Sequence, residues 1–268
     1  MDSCLICKTS GQLNYFKEDA KVLQCNNCKC LFKEIVNKKK SHRQIISKNK
    51  IKKIVEKRIS KLTAEHYIKY LKLKTDFSFK SSLDIGAGVG DFVSCLNRLG
   101  VDAYGIESDK NTYENRVTDD IQLGFFDETF ESEIKFDLIS FNQSLYYFQD
   151  VFAILNKVIP MLNENGILFI TSINPESDLM LKNKFWIGGC NVLMSKKNFQ
   201  SLNNFGLQLM DISSVNDNLY VDFRLRKDGK IGGFTFWRNF LSYGSKLKNM
   251  ISFSENGVHN YVLLKKLT

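Results

Sequence analysis

The chain has 268 residues, a hydrophobic fraction of 43% and a formal net charge of +9 at pH 7. This length accommodates one α/β domain with a small appendage, and the apolar fraction is ample for its core. No apolar run approaches the roughly 18 residues of a membrane span, and the first residues lack the apolar segment of a signal peptide. We therefore expect a cytoplasmic protein without a transmembrane segment.

Two pairs of cysteines begin the chain. Cys4 and Cys7 form one C-x-x-C knuckle, and Cys25 and Cys28 form a second after 17 intervening residues. Zn²⁺ prefers four thiolates in a tetrahedron, which two tight turns supply without a large core. Without a secretion signal, this pattern favours a metal over disulfides and predicts a structural zinc ribbon over residues 1–36.

A fifth cysteine, Cys30, is an alternative ligand to Cys28, although the two-residue spacing favours Cys28. The ribbon could dock a substrate or partner, or it could be a folding staple. We favour the staple, because the four cysteines fill all four positions and leave none open for catalysis.

A basic segment, residues 38–61, holds eleven Lys or Arg residues against one Glu. The rest of the chain is therefore nearly neutral, which argues against a nucleic-acid-binding surface on the main domain. The charges belong to the solvent face of a predicted basic helical linker over residues 37–63, or they attract RNA, a phosphorylated substrate or a membrane surface. The helix is predicted from apolar residues at helical spacing, namely Ile51, Ile54, Val55, Ile59 and Leu62.

Three alternating glycines, Gly86, Gly88 and Gly90, follow a short apolar run and precede an apolar, helix-like segment. A buried strand that ends in such a turn exposes bare backbone and a helix N-terminus to a ligand. The G-x-G-x-G spacing differs from the G-x-G-x-x-G of dinucleotide-binding proteins, and Asp84 stands just before it. A second strand-like run ends in Glu107, whose carboxylate can accept hydrogen bonds from both hydroxyls of a ribose.

These residues resemble motif I and the second strand of the class I S-adenosylmethionine (SAM) dependent methyltransferases. The resemblance implies a Rossmann-like α/β fold with a seven-stranded, mostly parallel sheet, an antiparallel last strand, and a catalytic domain over residues 64–268. It also implies a SAM site at the strand ends, formed by Asp84, Gly86, Ala87, Gly88, Gly90, Glu107, Ser108, Phe125, Phe126, Asp127, Asn142 and Gln143.

The third predicted strand, residues 121–124, leads into Phe125, Phe126 and Asp127. In the family pattern these positions flank adenine, so a phenylalanine suits the ring face and Asp127 suits the amino group. The family usually places its acid directly after the glycine, where this chain has Phe125.

The fourth predicted strand, residues 137–141, is followed by no N/D-P-P-Y signature of amino-group methyltransferases, which favours an oxygen or carbon acceptor. Where many relatives have a histidine, this chain has Tyr146 and Tyr147, so a phenol would replace that general base. The candidate catalytic residues are Tyr146, Tyr147 and, from the segment before motif I, His66. His66 could equally serve in packing.

The rest of the chain predicts a helix and fifth strand over residues 151–173 and a final strand pair over 207–213 and 258–265. Phe185 and Trp186 lie where the family's loop would close over substrate. The insertion between the last strands is basic and aromatic, as acceptor-side surfaces often are, and contains Arg224, Arg226, Phe234, Trp237, Arg238 and Lys246.

Chains that join a ribbon to this domain resemble bacterial enzymes of capsule and surface-polysaccharide biosynthesis. Sugar C-methyltransferases of that group usually carry a further C-terminal domain, so we expect O-methylation of a sugar hydroxyl or phosphate-like group. The expected acceptor is a small or sugar-linked molecule, with SAM as cofactor and zinc as structural metal.

Two alternatives remain open, and the sequence leaves the oligomeric state undetermined. The first is an rRNA base methyltransferase, which the basic run favours and the nearly neutral body opposes. The second is a non-catalytic binding module, which the intact glycine and acid pattern opposes.

Overall fold

The chain forms a small N-terminal sheet and a large central sheet. The computed structural model describes residues 2–34, 50–127, 129–184, 189–217 and 251–267. Its strands are β1 (Leu13–Lys17), β2 (Val22–Cys25), β3 (Leu31–Lys33), β4 (Ser81–Ile85), β5 (Asp102–Glu107), β6 (Ile121–Leu123), β7 (Phe136–Asn142), β8 (Leu162–Ile173), β9 (Val192–Leu193), β10 (Leu207–Asp217), β11 (Ile251–Phe253) and β12 (His259–Lys266). Its α-helices are α1 (Lys50–Lys74), α2 (Asp91–Asn97), α3 (Lys110–Glu114), α4 (Val151–Met161), α5 (Asp178–Asn183) and α6 (Lys196–Gln200).

The large sheet has the strand order β11-β10-β12-β8-β7-β4-β5-β6. Strands β4 to β8 are mutually parallel, whereas β12 runs antiparallel to both of its neighbours, β8 and β10. The predicted seven-stranded, mostly parallel sheet with a reversed last strand is confirmed. The short β11 pairs with β10 and adds an eighth strand at the edge.

Helices cover both faces of this sheet, because parallel strands are apolar on both sides. On one face, α1 and α2 pack Tyr67, Leu71 and Phe92 against the sheet. On the other face, α4 contributes Leu155 and Val158 to a second apolar cluster. The core thus has three layers. Because β4, β5 and β7 are parallel, their carboxyl ends meet at one edge of the central layer.

The N-terminal segment shares a sheet with a strand from later in the chain. Strands β1, β2 and β3 form an antiparallel meander, and β3 pairs with β9 through Leu31–Leu193 and Phe32–Val192. Ser195 also donates its hydroxyl to the carbonyl of Cys28 at 2.5 Å. The ribbon is thus joined to the larger unit by backbone pairing and by a side-chain hydrogen bond.

Helix α1 is continuous across residues 63 and 64, where the sequence places a domain boundary. The half-buried side chains of Ile59 and Leu62 pack against the core, as their helical spacing indicates. The division into a ribbon, a linker and a catalytic domain stays a prediction.

Some predicted features lie outside the described residues. They are the start of the basic segment (residues 38–49), the side chains of Ile51, Ile54 and Val55, the loop pair Phe185 and Trp186, and the insertion with Arg224, Arg226, Phe234, Trp237, Arg238 and Lys246. Across the part of the chain that is described, no helix has the length and apolar character needed to span a bilayer.

Candidate active site

A cavity of about 660 Å³ opens at the carboxyl ends of β4, β5 and β7. The chain leaves β4 toward β5 and β6 on one side and returns to β7 on the other, so the cavity lies at the switch point where doubly wound sheets bind ligands. Residues from six segments line it, namely Ser60, Thr63, Ala64, Tyr67, Asp84 to Gly88, Asp91, Phe92, Ile106 to Asp109, Gly124 to Asp127, Asn142 to Ser144, Tyr146 to Asp150, Ala153, Ile154, Gly189 and Asn191.

The glycine turn forms the floor of this cavity. Gly86, Gly88 and Gly90 have φ angles of 79°, 61° and 85°, a left-handed region that favours glycine. A Cβ on Gly86 would lie 2.5 Å from the Cβ of Ser144, whereas a Cβ on Gly88 would meet nothing within 4 Å. Gly86 is therefore required by packing, and Gly88 leaves bare backbone facing open space. Gly90 is the N-cap of α2 and does not line the cavity.

Glu107, at the end of β5, faces the turn. One carboxylate oxygen accepts from the Gly88 amide at 2.8 Å, and the other accepts from the Asp109 amide at 2.7 Å. Burial raises the pKa of Glu107, and these backbone donors oppose that effect. Each carboxylate oxygen retains a second lone pair, so the group can still accept hydrogen bonds from a ligand.

Asp84 lies beneath the turn and is 1% exposed. One oxygen accepts from the Ser140 hydroxyl at 2.7 Å and from the Asn142 amide at 3.0 Å. Burial, aided by the nearby charge of Glu107, raises the pKa of Asp84 to about 7 despite these donors. The side-chain carbonyl oxygen of Asn142, Oδ1, is buried and accepts no hydrogen bond from any described residue. It is a polar group available to a ligand.

The third strand supplies an aromatic wall. Phe125 is 38% exposed, whereas Phe126 is buried and packs on Phe130 with ring centroids 5.0 Å apart. The Asp127 carboxylate accepts from the amide and hydroxyl of Thr129 at 3.0 and 2.6 Å. Of the two phenylalanines predicted to contact adenine, Phe125 is therefore the one with an exposed ring. Ser108, which follows Glu107, also lines the cavity.

One face of α1 covers the cavity with Ser60, Thr63, Ala64 and Tyr67. These four residues are not among those predicted from the sequence to form the site, although their i, i+3, i+4, i+7 spacing is typical of one helix face. His66 is rotated away by one residue and is not among the lining residues. Its Nδ1 lies 3.3 Å from the Tyr261 hydroxyl, and burial next to Lys69 lowers its pKa to about 4.

The two candidate catalytic tyrosines, Tyr146 and Tyr147, also line the cavity. The buried Tyr146 donates its hydroxyl to the Gln143 side-chain carbonyl at 3.3 Å, and Tyr147 is half-buried. Asn191 donates its amide nitrogens to the backbone carbonyls of Tyr146 and Tyr147 at 2.8 and 2.7 Å. The structure thus brings Tyr146, Tyr147, Asn142 and Gln143 to one cavity with Glu107, but it does not bring His66 there.

The lining of the cavity is acidic. Among the described residues it includes six carboxylates and no Lys, Arg or His, the carboxylates being those of Asp84, Asp91, Glu107, Asp109, Asp127 and Asp150. Such a lining favours a cation and repels an anion at short range.

The ribbon contains a candidate metal centre. The sulfur atoms of Cys4, Cys7, Cys25 and Cys28 all lie within 4.8 Å of one another. The Cys4–Cys28 and Cys7–Cys25 pairs are 3.7 and 3.6 Å apart, close to the spacing of sulfurs in a tetrahedral zinc site with 2.3 Å bonds. Cys30 Sγ lies 3.4 Å from both Cys4 and Cys28, beside this set. The four thiols fit a zinc ion.

The strand order, the switch-point cavity and the glycine turn with its facing carboxylate define a Rossmann-like methyltransferase. A family described as "Methyltransferase domain" matches residues 51–211, and the chain belongs to this family. A comparison with curated protein sequences found no match.

Solved structures share the fold. The plantazolicin methyltransferase BamL, in complex with a triazolic desmethylPZN analogue and S-adenosylhomocysteine (SAH), is 15% identical, with a TM-score of 0.51 over 82% of this chain and 90% of that one. The [4+2]-cyclase SpnF is 14% identical, with a TM-score of 0.51 over 83% and 87%. A chain from the complex of the Haloferax volcanii Trm112 methyltransferase activator with a methyltransferase is 14% identical, with a TM-score of 0.51 over 79% and 93%.

Proposed function

We propose that this chain is a SAM-dependent methyltransferase that methylates an oxygen atom of a small or sugar-linked acceptor. The observation that carries the proposal is the pairing of Glu107 with the bare Gly88 backbone at the switch-point cavity. The SAH bound by BamL supports SAM as the donor. The family match to residues 51–211 supports methyl transfer as the reaction.

Different residues of the cavity would bind different parts of SAM. The Gly88 backbone leaves room for the ligand, Glu107 would accept from the ribose hydroxyls, and Phe125 offers an aromatic face to adenine. When bound, SAM supplies an electrophilic methyl group that an acceptor oxygen takes in an in-line displacement. Tyr146 and Tyr147 follow β7, on the other side of β4 from Glu107, and they would orient the acceptor. Orientation is a large part of catalysis in such a reaction.

The acidic lining bears on the acceptor. The acidic side chains of the lining, among which the described part of the chain places no Lys, Arg or His, favour a neutral hydroxyl over a phosphate-like group and disfavour a polyanion such as rRNA. A neutral hydroxyl loses its proton during the reaction, so a base is required; Tyr146 and Tyr147 are the candidates, and either would take that proton only in its phenolate form. We therefore propose a sugar hydroxyl as acceptor, in capsule or surface-polysaccharide biosynthesis in the cytoplasm.

The ribbon is proposed to hold one structural zinc ion through Cys4, Cys7, Cys25 and Cys28. Four thiolates complete a tetrahedral shell and leave no position for a substrate. Zinc binding would contribute directly to the folding free energy of the ribbon.

Calorimetric titration with SAM and SAH tests the donor site. We expect micromolar binding by the full chain and about 100-fold weaker binding by Glu107→Ala, because two hydrogen bonds to a charged acceptor are lost. Glu131→Ala, which removes an exposed carboxylate, is the matched control and should bind normally. A folded, zinc-loaded chain that binds neither ligand would overturn the proposal.

A paired acceptor screen tests the chemistry. Neutral glycosides and their phosphate esters are incubated with SAM, and methylation is detected as a mass increase. Transfer to the neutral member is expected. SAH binding without transfer to any acceptor would instead indicate a non-methylating use of the fold, and SpnF, named as a cyclase, shares this fold.

A further inference from the structure

Asn191 connects the ribbon to the wall of the cavity through three hydrogen bonds. Its carbonyl accepts from the Lys33 amide of β3 at 3.0 Å, and its own amide donates to the Tyr146 carbonyl at 2.8 Å. Its side chain donates to the Tyr147 carbonyl at 2.7 Å. The residue is 7% exposed and also lines the cavity. It is therefore in contact with the ribbon, the two tyrosines and the ligand space.

The ribbon fixes one side of this connection. Strand β3 pairs with β9 directly after Asn191, and the knuckle containing Cys25 and Cys28 immediately precedes β3. The Cys28 carbonyl accepts from the Ser195 hydroxyl, just beyond β9. A change in the cysteine cluster would therefore reach β9 through both the strand pairing and this hydrogen bond.

Packing follows the same route. Tyr146 lies in one apolar cluster with Phe16, Val22 and Leu31 of the ribbon, and Tyr147 packs against this cluster. Side chains of β1, β2 and β3 therefore form part of the apolar cluster that contains Tyr146. The ribbon itself does not line the cavity, but it packs in the same cluster as a residue that does.

The donor side is held differently. The amides of Gly86 and Ala87 both donate to the Ile106 carbonyl at 2.9 Å, and Gly88 donates to Glu107. These bonds join the ends of β4 and β5, which belong to the central sheet. The cavity therefore has a donor side built on the sheet and an acceptor side built partly on the ribbon.

We propose that Asn191 is a positioning residue through which the metal-bound ribbon sets the geometry of the Tyr146–Tyr147 wall. This inference rests on the proposed function, since it assigns that wall to the acceptor. The ribbon is then a structural part of the acceptor site and not only a folding staple for itself.

Hydrogen–deuterium exchange on the full, zinc-loaded chain tests the coupling. Removing zinc with a chelator should speed exchange at residues 189–194 and 145–149, while the amides of β4 and β5 stay protected. Asn191→Ala should keep one zinc per chain and raise exchange at residues 145–149 about fivefold to tenfold, the effect of one lost hydrogen bond.

Gln208→Ala is the matched control, because it removes an exposed amide side chain from β10 and should leave exchange at 145–149 unchanged. The proposal is overturned if Asn191→Ala behaves like this control, or if zinc loss leaves residues 145–149 as protected as before. A chain that shows the coupling but binds no SAH would instead refute the proposed donor site. The two failures are therefore distinguishable.

Discussion

The carboxylate of Glu107 accepts a hydrogen bond from the amide of Gly88 at 2.8 Å, although 19 residues separate them along the chain. The contact joins the end of β5 to the turn after β4, so it exists only because these strands are parallel neighbours. It holds the glycine backbone and the carboxylate in one orientation toward the cavity. The following predictions depend on this arrangement and on the groups around it.

Gly88→Ala should weaken SAH binding about tenfold while leaving the fold intact. A Cβ at this position meets nothing in the protein, so it would occupy ligand space, and the left-handed backbone adds about 1 kcal/mol of strain. Gly100→Ala is the matched control, because Gly100 has a φ of 83°, open space around it and no contact with the cavity. Calorimetry and thermal unfolding separate the two effects, and equal SAH affinities in both variants would contradict this assignment.

Gly86→Ala should destabilise the fold by about 1–3 kcal/mol, because its Cβ would overlap the Cβ of Ser144 at 2.5 Å. Urea unfolding measures this loss of stability. A variant as stable as the parent would show that the turn after β7 can move away at little cost.

Asp84→Asn should raise stability at pH 8 and have a smaller effect at pH 5. The folded-state pKa of about 7 lies above the ordinary value of about 4, so the contribution of Asp84 to stability is greatest below that ordinary value and is lost as the pH rises toward 7. The gain at pH 8 has an upper bound of about 4 kcal/mol, and the altered hydrogen bonds to Ser140 and Asn142 reduce it. Urea unfolding at both pH values measures it, with the exposed Asp119→Asn as control. If the difference in unfolding free energy between Asp84→Asn and the parent were the same at both pH values, a raised pKa of Asp84 would be refuted.

Asp211→Ala should show the opposite pH dependence. Burial alone would raise the pKa of Asp211, but hydrogen bonds from Lys74, Ser213 and Tyr70 lower it overall. Its stabilising contribution is therefore present above a pH of about 4 and is lost as the pH falls through the folded-state pKa. We expect a loss of about 1–3 kcal/mol at pH 7 and a smaller loss near pH 3. Asp119→Ala, whose carboxylate is 95% exposed, should change little at either pH.

Cys25→Ser should abolish stoichiometric zinc and lower the midpoint of thermal unfolding by several degrees. The Cys25 sulfur is one of four within 4.8 Å, and structural zinc contributes to folding. Cys95→Ser changes a buried cysteine of α2 away from the cluster and should retain the metal. Metal analysis by mass spectrometry measures the content. Full zinc occupancy in Cys25→Ser would point to Cys30, 3.4 Å from Cys4 and Cys28, as a replacement ligand.

Local sequence patterns were enough to predict those parts of the site that short motifs encode. Three alternating glycines impose the left-handed turn, and an acid at the end of the next strand provides the facing carboxylate. Short-range spacing likewise predicted both cysteine knuckles, because each knuckle is a single tight turn. The resemblance of these motifs to one family supplied the mostly parallel character of the large sheet and its antiparallel last strand.

The remaining features of the site depend on how distant segments pack in the folded chain. Tyr67 faces the cavity and His66 faces Tyr261, because adjacent helical residues differ by about 100° and the rotation of α1 is set by packing against the sheet. The pairing of β3 with β9 brings together residues about 160 positions apart. A strand of only two residues, such as β9, has no recognisable pattern in the local sequence. Asn191 has no motif around it, and its role arises only from the three backbone groups that the folded chain places beside it.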